Sequence, residues 1–255
     1  MKALILAGGH GTRLRPASTA VNKHLLPVYD KPMIMYGIEA LRDALVTDIY
    51  VSISTFNPFG FLDLLRSGRD LGVHLSFLVQ EEVKGIAWAI NEAEPWLKGE
   101  PFIVYLADNI FTSSIKPHVD KFYENPEKPM VLLKRVDKPE EARRYGVARF
   151  SPSLPCKERL ELNSAYKVEV TEFVEKPAEP PSQYVLLGVY FLTPRFFDVF
   201  PTLKPSQRGE YEITDALNQL MPVDYEVITG DWWDCGEFGD ILRASFKVSG
   251  WTYLE

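Results

Sequence analysis

No stretch of this 255-residue sequence holds the roughly 18 consecutive apolar residues that a membrane-spanning helix needs. Residues 2–7 alone separate Met1 from Gly8-Gly9, too few for the apolar core of a secretion signal. Cysteine is scarce. Cys156 and Cys235 are the only two, which excludes a disulfide framework, and no Cys-x-x-Cys or His/Cys pair has zinc-ligand spacing. The expectation is a cytoplasmic chain with no membrane partner. Positive charge is also in short supply: 28 Lys and Arg face 35 Asp and Glu, a net charge of −7. That argues against nucleic acid as a partner. Two nucleotide-binding fingerprints are missing as well. No Gly-Lys pair occurs, so there is no Walker A loop. Gly9-x-Gly11 would need a glycine in place of Leu14 to read as a dinucleotide motif, which disfavours an NAD-dependent oxidoreductase.

What remains is an ordinary globular composition, 46% hydrophobic and 25% charged, enough for a core without staples. Short apolar runs at 3–7, 48–54, 73–79 and 102–107 read as buried strands. Between them Ile34, Ile38, Leu41 and Leu45 mark one face of a helix, and 59–69 and 86–97 read as two more. Strands alternating with helices predict βαβ units, hence an α/β fold with a mainly parallel sheet covered on both faces. From residue 130 the pattern changes. Strands at 130–136, 146–150, 166–174 and 184–192 follow one another with little helix between them, which predicts a mixed or antiparallel addition. Helices at 212–220 and 239–248 close the pattern.

Against the acidic whole, residues 1–31 carry Lys2, Arg13, Arg15, Lys23 and Lys31 with Asp30 as their one acid. The run Gly8-Gly9-His10-Gly11-Thr12-Arg13-Leu14-Arg15-Pro16 follows the first strand directly. Glycines there let backbone N–H groups approach an oxyanion, and arginines add charge. By residue type alone the loop is also readable as a tight strand-to-helix turn. Asp108 is readable as a strand-end turn, Asp234 as a helix cap before residue 236, and Lys23 and Arg208 as solvated cations.

Longer motifs narrow the choice. The stretch 6–16, Lys23-His-Leu-Leu-Pro-Val28 and Asp30-Lys-Pro-Met-Ile34 resemble the signature of sugar-phosphate nucleotidyltransferases, in particular the glucose-1-phosphate thymidylyltransferase family. Gln80-x-x-x-x-Gly85-Ile-Ala-x-Ala89, Leu106-Ala-Asp-Asn-Ile-Phe111, Tyr145-Gly-Val147, Glu175-Lys-Pro177, Arg208-Gly-Glu-x-Glu-Ile-Thr-Asp215 and Trp233-Asp-x-Gly236 continue it in the family's order. The likeness spans 2–248. Departures are small: Ser18 for a common threonine, Gly37 for a common proline, Ala107 for a common glycine.

The resemblance implies a Rossmann-like, three-layer αβα nucleotidyltransferase fold with a small additional antiparallel region. It also implies one domain over 1–255, with a nucleotide-binding half (1–129) and a sugar-phosphate-binding half (130–255). The implied reaction joins a sugar-1-phosphate oxygen, glucose-1-phosphate first, to the α-phosphorus of dTTP and releases pyrophosphate. UTP is the alternative donor. Both reactants are anionic, so positioning and charge neutralisation outweigh acid–base work. Arg13, Lys23 and Lys176 are the implied catalytic residues. Leu6, Gly8, Gly9, Gly11, Thr12, Arg13, Gln80, Gly85 and Asp108 would bind the nucleotide, and Gly146, Glu175, Lys176, Leu186 and Arg208 the sugar phosphate. Asp108 and Asp234 would hold Mg²⁺, a hard ion that takes one or two carboxylates and completes its shell with phosphate oxygens and water. A sensor without turnover would have no use for that pair. Longer members continue into C-terminal helices that help build a tetramer and a regulatory site. A chain stopping at Glu255 reads as a short form, with weak end-product inhibition expected and the homo-oligomer left open. His10, His24, His74 and His118 show no ligand spacing, Trp88 and Trp96 read as packing, and Trp232 and Trp233 could wall the site.

Overall fold

A run of β-branched and aliphatic residues with no polar face is stable only when covered on both sides, and such runs become the inner strands here. The computed structural model describes residues 1–151 and 168–250. Among them lie β1 Lys2–Ala7, β2 Pro27–Val28, β3 Lys31–Pro32, β4 Asp48–Ser54, β5 His74–Gln80, β6 Phe102–Leu106 and β7 Asn109–Phe111. The second half adds β8 Met130–Arg135, β9 Gly146–Phe150, β10 Val170–Glu175, β11 Tyr184–Leu192, β12 Asp224–Val227 and β13 Trp232–Asp234. No helix among the described residues is long and apolar enough to cross a membrane.

Nine strands form one sheet. β6, β1, β4 and β5 lie side by side and parallel. β11 then enters antiparallel to β6 and changes the architecture. Its second half pairs with β6 from Val189 to Leu192, and its first half reaches beyond the end of β6 to meet β9 at Val185. The far edge of β11 carries β8 antiparallel, and β12 joins β8 in parallel. β10 lies outside β9. Residues 186–188 therefore span a gap between the carboxyl end of β6 and the start of β9. In an open α/β sheet, ligands bind beyond the carboxyl ends of the strands where the order switches.

Side chains alternate across the sheet. Ala3, Ile5 and Ala7 of β1 pack on one face with Ile34, Ile38 and Leu41 of the helix Met33–Asp43. Leu4 packs on the other with Ala87 and Ile90 of the helix Ile86–Asn91. The result is a three-layer α/β fold with a mixed, mostly parallel sheet. Two small antiparallel pairs, β13 with β7 and β2 with β3, stand apart from it.

Four local expectations are corrected. The helix expected over 86–97 is two, Ile86–Asn91 and Glu94–Leu97. Pro95 cannot donate to the preceding turn, so the helix restarts. The helix expected over 59–69 ends at Leu65, because Arg66 (φ 47°) and Gly68 (φ 78°) turn left-handed. The strand expected over 73–79 is shifted by one residue, so Gln80 ends β5 instead of starting a loop. Asp234 ends strand β13 and caps no helix. Cys156, and the residues 166–167 expected to begin the strand before Val170, lie outside the described residues.

Candidate active site

Gly8 and Gly9 leave β1 at its carboxyl end. A β-carbon on Gly8 would overlap Gln80 Oε1, so glycine is what lets the first loop lie against the end of β5. Gly11 needs its freedom for another reason: its φ is +59°, and a β-carbon there would come 2.8 Å from Lys23 Cβ. This close contact seats Lys23 under the loop. Lys23 begins a short 3₁₀ turn, Lys23–Leu25, and its side chain is only 11% exposed. Its Nζ lies 2.5 Å from Asp108 Oδ2, just past the end of β6.

Burial alone would raise the Asp108 carboxyl. The adjoining Lys23 ammonium and His24, with hydrogen bonds from Lys23 and from Asn109 Nδ2 (3.0 Å), overcome that and hold it well below the usual carboxylate range. Burial, reinforced by Lys23, keeps His24 neutral with its pKa down to about 3. Asp234 goes the other way. Burial and the Asp108 charge push its carboxyl above the usual range. Cys235 N–H donates to the Asp108 carbonyl (2.8 Å), which ties the two strand ends together. The Cys235 thiol is buried and its pKa raised, so it packs and does not react. Of the two neighbouring carboxylates the Lys23 ammonium pairs with Asp108 alone, and their hard oxygens suit Mg²⁺. Among the described residues no three His, Cys, Asp or Glu side chains converge as a metal cluster. An ion held here would draw its other ligands from phosphate and water.

Across the gap, β10 ends at Glu175, whose carboxyl is raised by burial despite Lys176 beside it. Lys176 has φ 41°, an uncommon conformation for a side-chain residue, and its N–H donates to the Tyr145 carbonyl (3.0 Å). Arg208 Nη2 reaches Glu175 Oε1 at 3.2 Å and Glu212 Oε1 at 2.9 Å. At Gly146 a β-carbon would come 2.8 Å from both Leu186 Cδ1 and Thr214 Cγ2, so its backbone is open to the gap only because it is glycine.

These groups line two cavities that meet. One, of about 240 Å³, is walled by Leu6, Gly8, Gly9, Lys23, Gln80 and Gly85. The other, of about 360 Å³, is walled by Arg13, Gly146, Leu186 and Asp234. Asp108, Glu175 and Lys176 line both. Two placements differ from a simple division by halves of the chain. Arg208 borders the cavity that holds Gln80, and Arg13 borders the one that holds Gly146. Gly11 and Thr12 border neither, and Thr12 is exposed.

The arrangement of a glycine loop, a lysine, two strand-end carboxylates and a second basic cluster agrees with a sequence match over nearly the whole chain. Residues 2–249 match the nucleotidyl transferase family profile. The chain belongs to that family. Among curated relatives of this chain, the low-salt glycan biosynthesis nucleotidyltransferase Agl11 of Haloferax volcanii is 34% identical over 252 residues. A glucose-1-phosphate thymidylyltransferase of Streptomyces griseus is 33% identical over 252 residues. Each match covers 97% of this chain, which spans 66% of either relative's length. A Bacillus anthracis structure assigned to glucose-1-phosphate thymidylyltransferase, solved with sucrose, superposes with a TM-score of 0.85. It is 34% identical, over 100% of this chain and 98% of its own. A UDP-glucose pyrophosphorylase with bound UDP-glucose superposes at 0.82, with 27% identity and 98% of each chain covered.

Sequence reasoning passed over one polar centre of this chain. Asn109 is 3% exposed. Its Oδ1 accepts from Gly188 N–H (3.0 Å) and from Trp232 Nε1–H (2.6 Å), while its Nδ2 donates to Asp108 Oδ1 (3.0 Å). A single amide thus joins β11, β13 and the end of β6. Its neighbour Asp108 was the available signal, but a polar residue after a strand reads first as a turn former. Asn109→Ala strands two buried donors at about 1–3 kcal/mol each. The expected outcome is a loss of roughly 2–5 kcal/mol in urea unfolding. A loss below about 0.5 kcal/mol would show that water replaces the amide.

Proposed function

We propose that this chain transfers a nucleotidyl group from dTTP, with UTP as a second donor, to a sugar-1-phosphate, glucose-1-phosphate first, and releases pyrophosphate. The observation that carries the reading is the meeting of two cavities at Asp108, Glu175 and Lys176, where a nucleoside triphosphate and a sugar phosphate could bring their phosphates together. The site's cations rest on internal carboxylates. Lys23 sits on Asp108, Arg208 on Glu175 and Glu212, and Arg13 on Glu237. Phosphates can replace these acids as partners with no large movement of the cations.

A sugar-phosphate oxygen forms the new bond to the α-phosphorus as the bond from α-phosphorus to the β-bridging oxygen breaks. The acceptor is already ionised near neutral pH, so no side chain has to remove a proton. Lys23 and Arg13 offset charge on the triphosphate and Lys176, which lines both cavities, on the acceptor, with Arg208 beside Glu175 at their junction, while Glu175 accepts from and the Gly146 backbone N–H donates to sugar hydroxyls. Mg²⁺ held by Asp108 and Asp234 would add electrostatic stabilisation for the charge on the phosphoryl oxygens during transfer. A matrix of four nucleotides against several sugar-1-phosphates, read by pyrophosphate release, tests the reading. No release from any pair overturns it.

Base choice rests on Gln80. Its amide offers an acceptor and donors that match the N3–H and O4 edge shared by thymine and uracil. Gly85, at φ +100°, brings backbone to the same cavity. One methyl separates the two bases and is worth only about 1–3 kcal/mol in a close-fitting pocket. The expected order of kcat/KM is dTTP, then UTP, then CTP, with ATP and GTP far behind. Gln80→Ala should flatten it. A purine ranking first, or an order unchanged in Gln80→Ala, removes Gln80 from base reading.

A further inference from the structure

We propose that Arg144 is a second pyrophosphate-binding residue beside Arg13, and that Glu237 is the carboxylate that pyrophosphate displaces from both arginines. The inference rests on the reaction proposed above and names a binding group for its leaving group.

Arg144 lies between the short helix Pro139–Ala142 and β9. It lines the 360 Å³ cavity together with Arg13 and Asp234. Arg13 arrives from the glycine loop, Arg144 from the segment before β9, and the two guanidinium groups meet at one atom. Arg13 Nη1 is 3.3 Å and Arg144 Nη2 3.5 Å from Glu237 Oε1. Two guanidinium groups share a single carboxylate oxygen at 3.3 and 3.5 Å, while the other carboxylate on Arg144, Asp240, is itself shared with Arg243. A phosphate group, with more charge and more acceptor oxygens arranged for arginine's fork of donors, fits the pair better.

Arg144 is also held from behind. Its Nη2 is 3.3 Å from Asp240 Oδ2, a carboxylate only 8% exposed that also takes Arg243 at 2.5 Å. Its guanidinium lies 5.7 Å from the centre of the Tyr145 ring. Asp240 is thus a positioning residue that keeps the arginine extended toward the cavity. Glu237 is the displaceable member: its side chain is 48% exposed, and exposed ion pairs are weak. The position relative to the metal-binding end also fits. A β-carbon on Gly236 would come 2.9 Å from Arg13 Nη2 and 3.3 Å from Asp234 Oδ1, so the absence of a side chain there leaves space shared by arginine and carboxylate. Pyrophosphate leaving an α-phosphorus held near Asp108 and Asp234 would enter that space.

The test uses inorganic pyrophosphate with Mg²⁺. Its binding to the intact protein is measured by calorimetry, and its KM is measured in the reverse reaction with a dTDP-sugar. Arg144→Ala is expected to weaken both at least 10-fold while the forward KM for glucose-1-phosphate stays within about twofold. Arg144→Lys should recover part of the loss, and Glu237→Gln should tighten pyrophosphate a few-fold by removing its competitor. Unchanged pyrophosphate binding in Arg144→Ala overturns the assignment. So does a rise confined to the glucose-1-phosphate KM, which would place Arg144 on the acceptor. If Arg144→Ala does not fold, a Glu237→Gln protein that binds pyrophosphate no more tightly than wild type overturns the assignment on its own. Calorimetry needs no turnover, so a wild type that binds pyrophosphate through Arg144 yet transfers no nucleotide sinks the reaction and not the site.

Discussion

Asp108→Asn is expected to lower kcat on the order of 100-fold or more at saturating Mg²⁺. The substitution keeps the shape and removes the charge. It deletes one of the two candidate metal ligands and leaves the Lys23 ammonium, 11% exposed, without its partner. Steady-state kinetics on a variant with an unchanged circular dichroism spectrum would check it, and near wild-type turnover would remove Asp108 from the metal site. The pH dependence of stability gives an independent reading. A carboxyl whose folded pKa lies below its unfolded value adds stability that is present above about pH 4 and is lost as pH falls through the folded pKa. Asp108 is such a group. The stability gap between wild type and Asp108→Asn should therefore narrow as pH falls below about 4.

Lys176→Ala should chiefly raise the KM for sugar-1-phosphate, by roughly 10- to 100-fold, as expected for a lost charge-assisted contact to phosphate. The side chain borders both cavities, and its Nζ lies 3.6 Å from Glu175 Oε1. The backbone aims it with a positive φ secured by the hydrogen bond to Tyr145. Arg13→Ala should instead damage use of the triphosphate. Kinetics with both substrates varied separate the two, and the opposite pattern would mean that donor and acceptor places are exchanged.

The large strands were readable because their chemistry is local. Residues 48–54, 146–150 and 184–192 are apolar enough that nothing but a buried strand suits them, and all three form with the expected bounds. β2, β3, β7 and β13 are two or three residues each. Their pairing comes from what folds around them, so periodicity could not mark them. The site shows the same division. The glycine loop announces itself by composition, whereas the Asn109 hub and the Arg144–Glu237–Arg13 convergence join residues about 80 to 220 positions apart. His24 likewise gives no local sign that it is buried and neutral.

The position of β11 between β6 and β9 has a consequence for biosynthesis. On the ribosome, β1, β4, β5 and β6 can pair as soon as residue 106 has emerged, and the glycine loop and Asp108 are then already made. The edge of β6 that faces the gap stays uncovered until residues 189–192 appear, and the β9–β10 pair joins the sheet only through the same strand. Asp234 and Glu237 come later still. Nascent chains shorter than this carry half of the charge pattern with no cavity to contain it, and an open strand edge that invites mispairing. Ligand capture therefore has to wait until residue 237 has emerged.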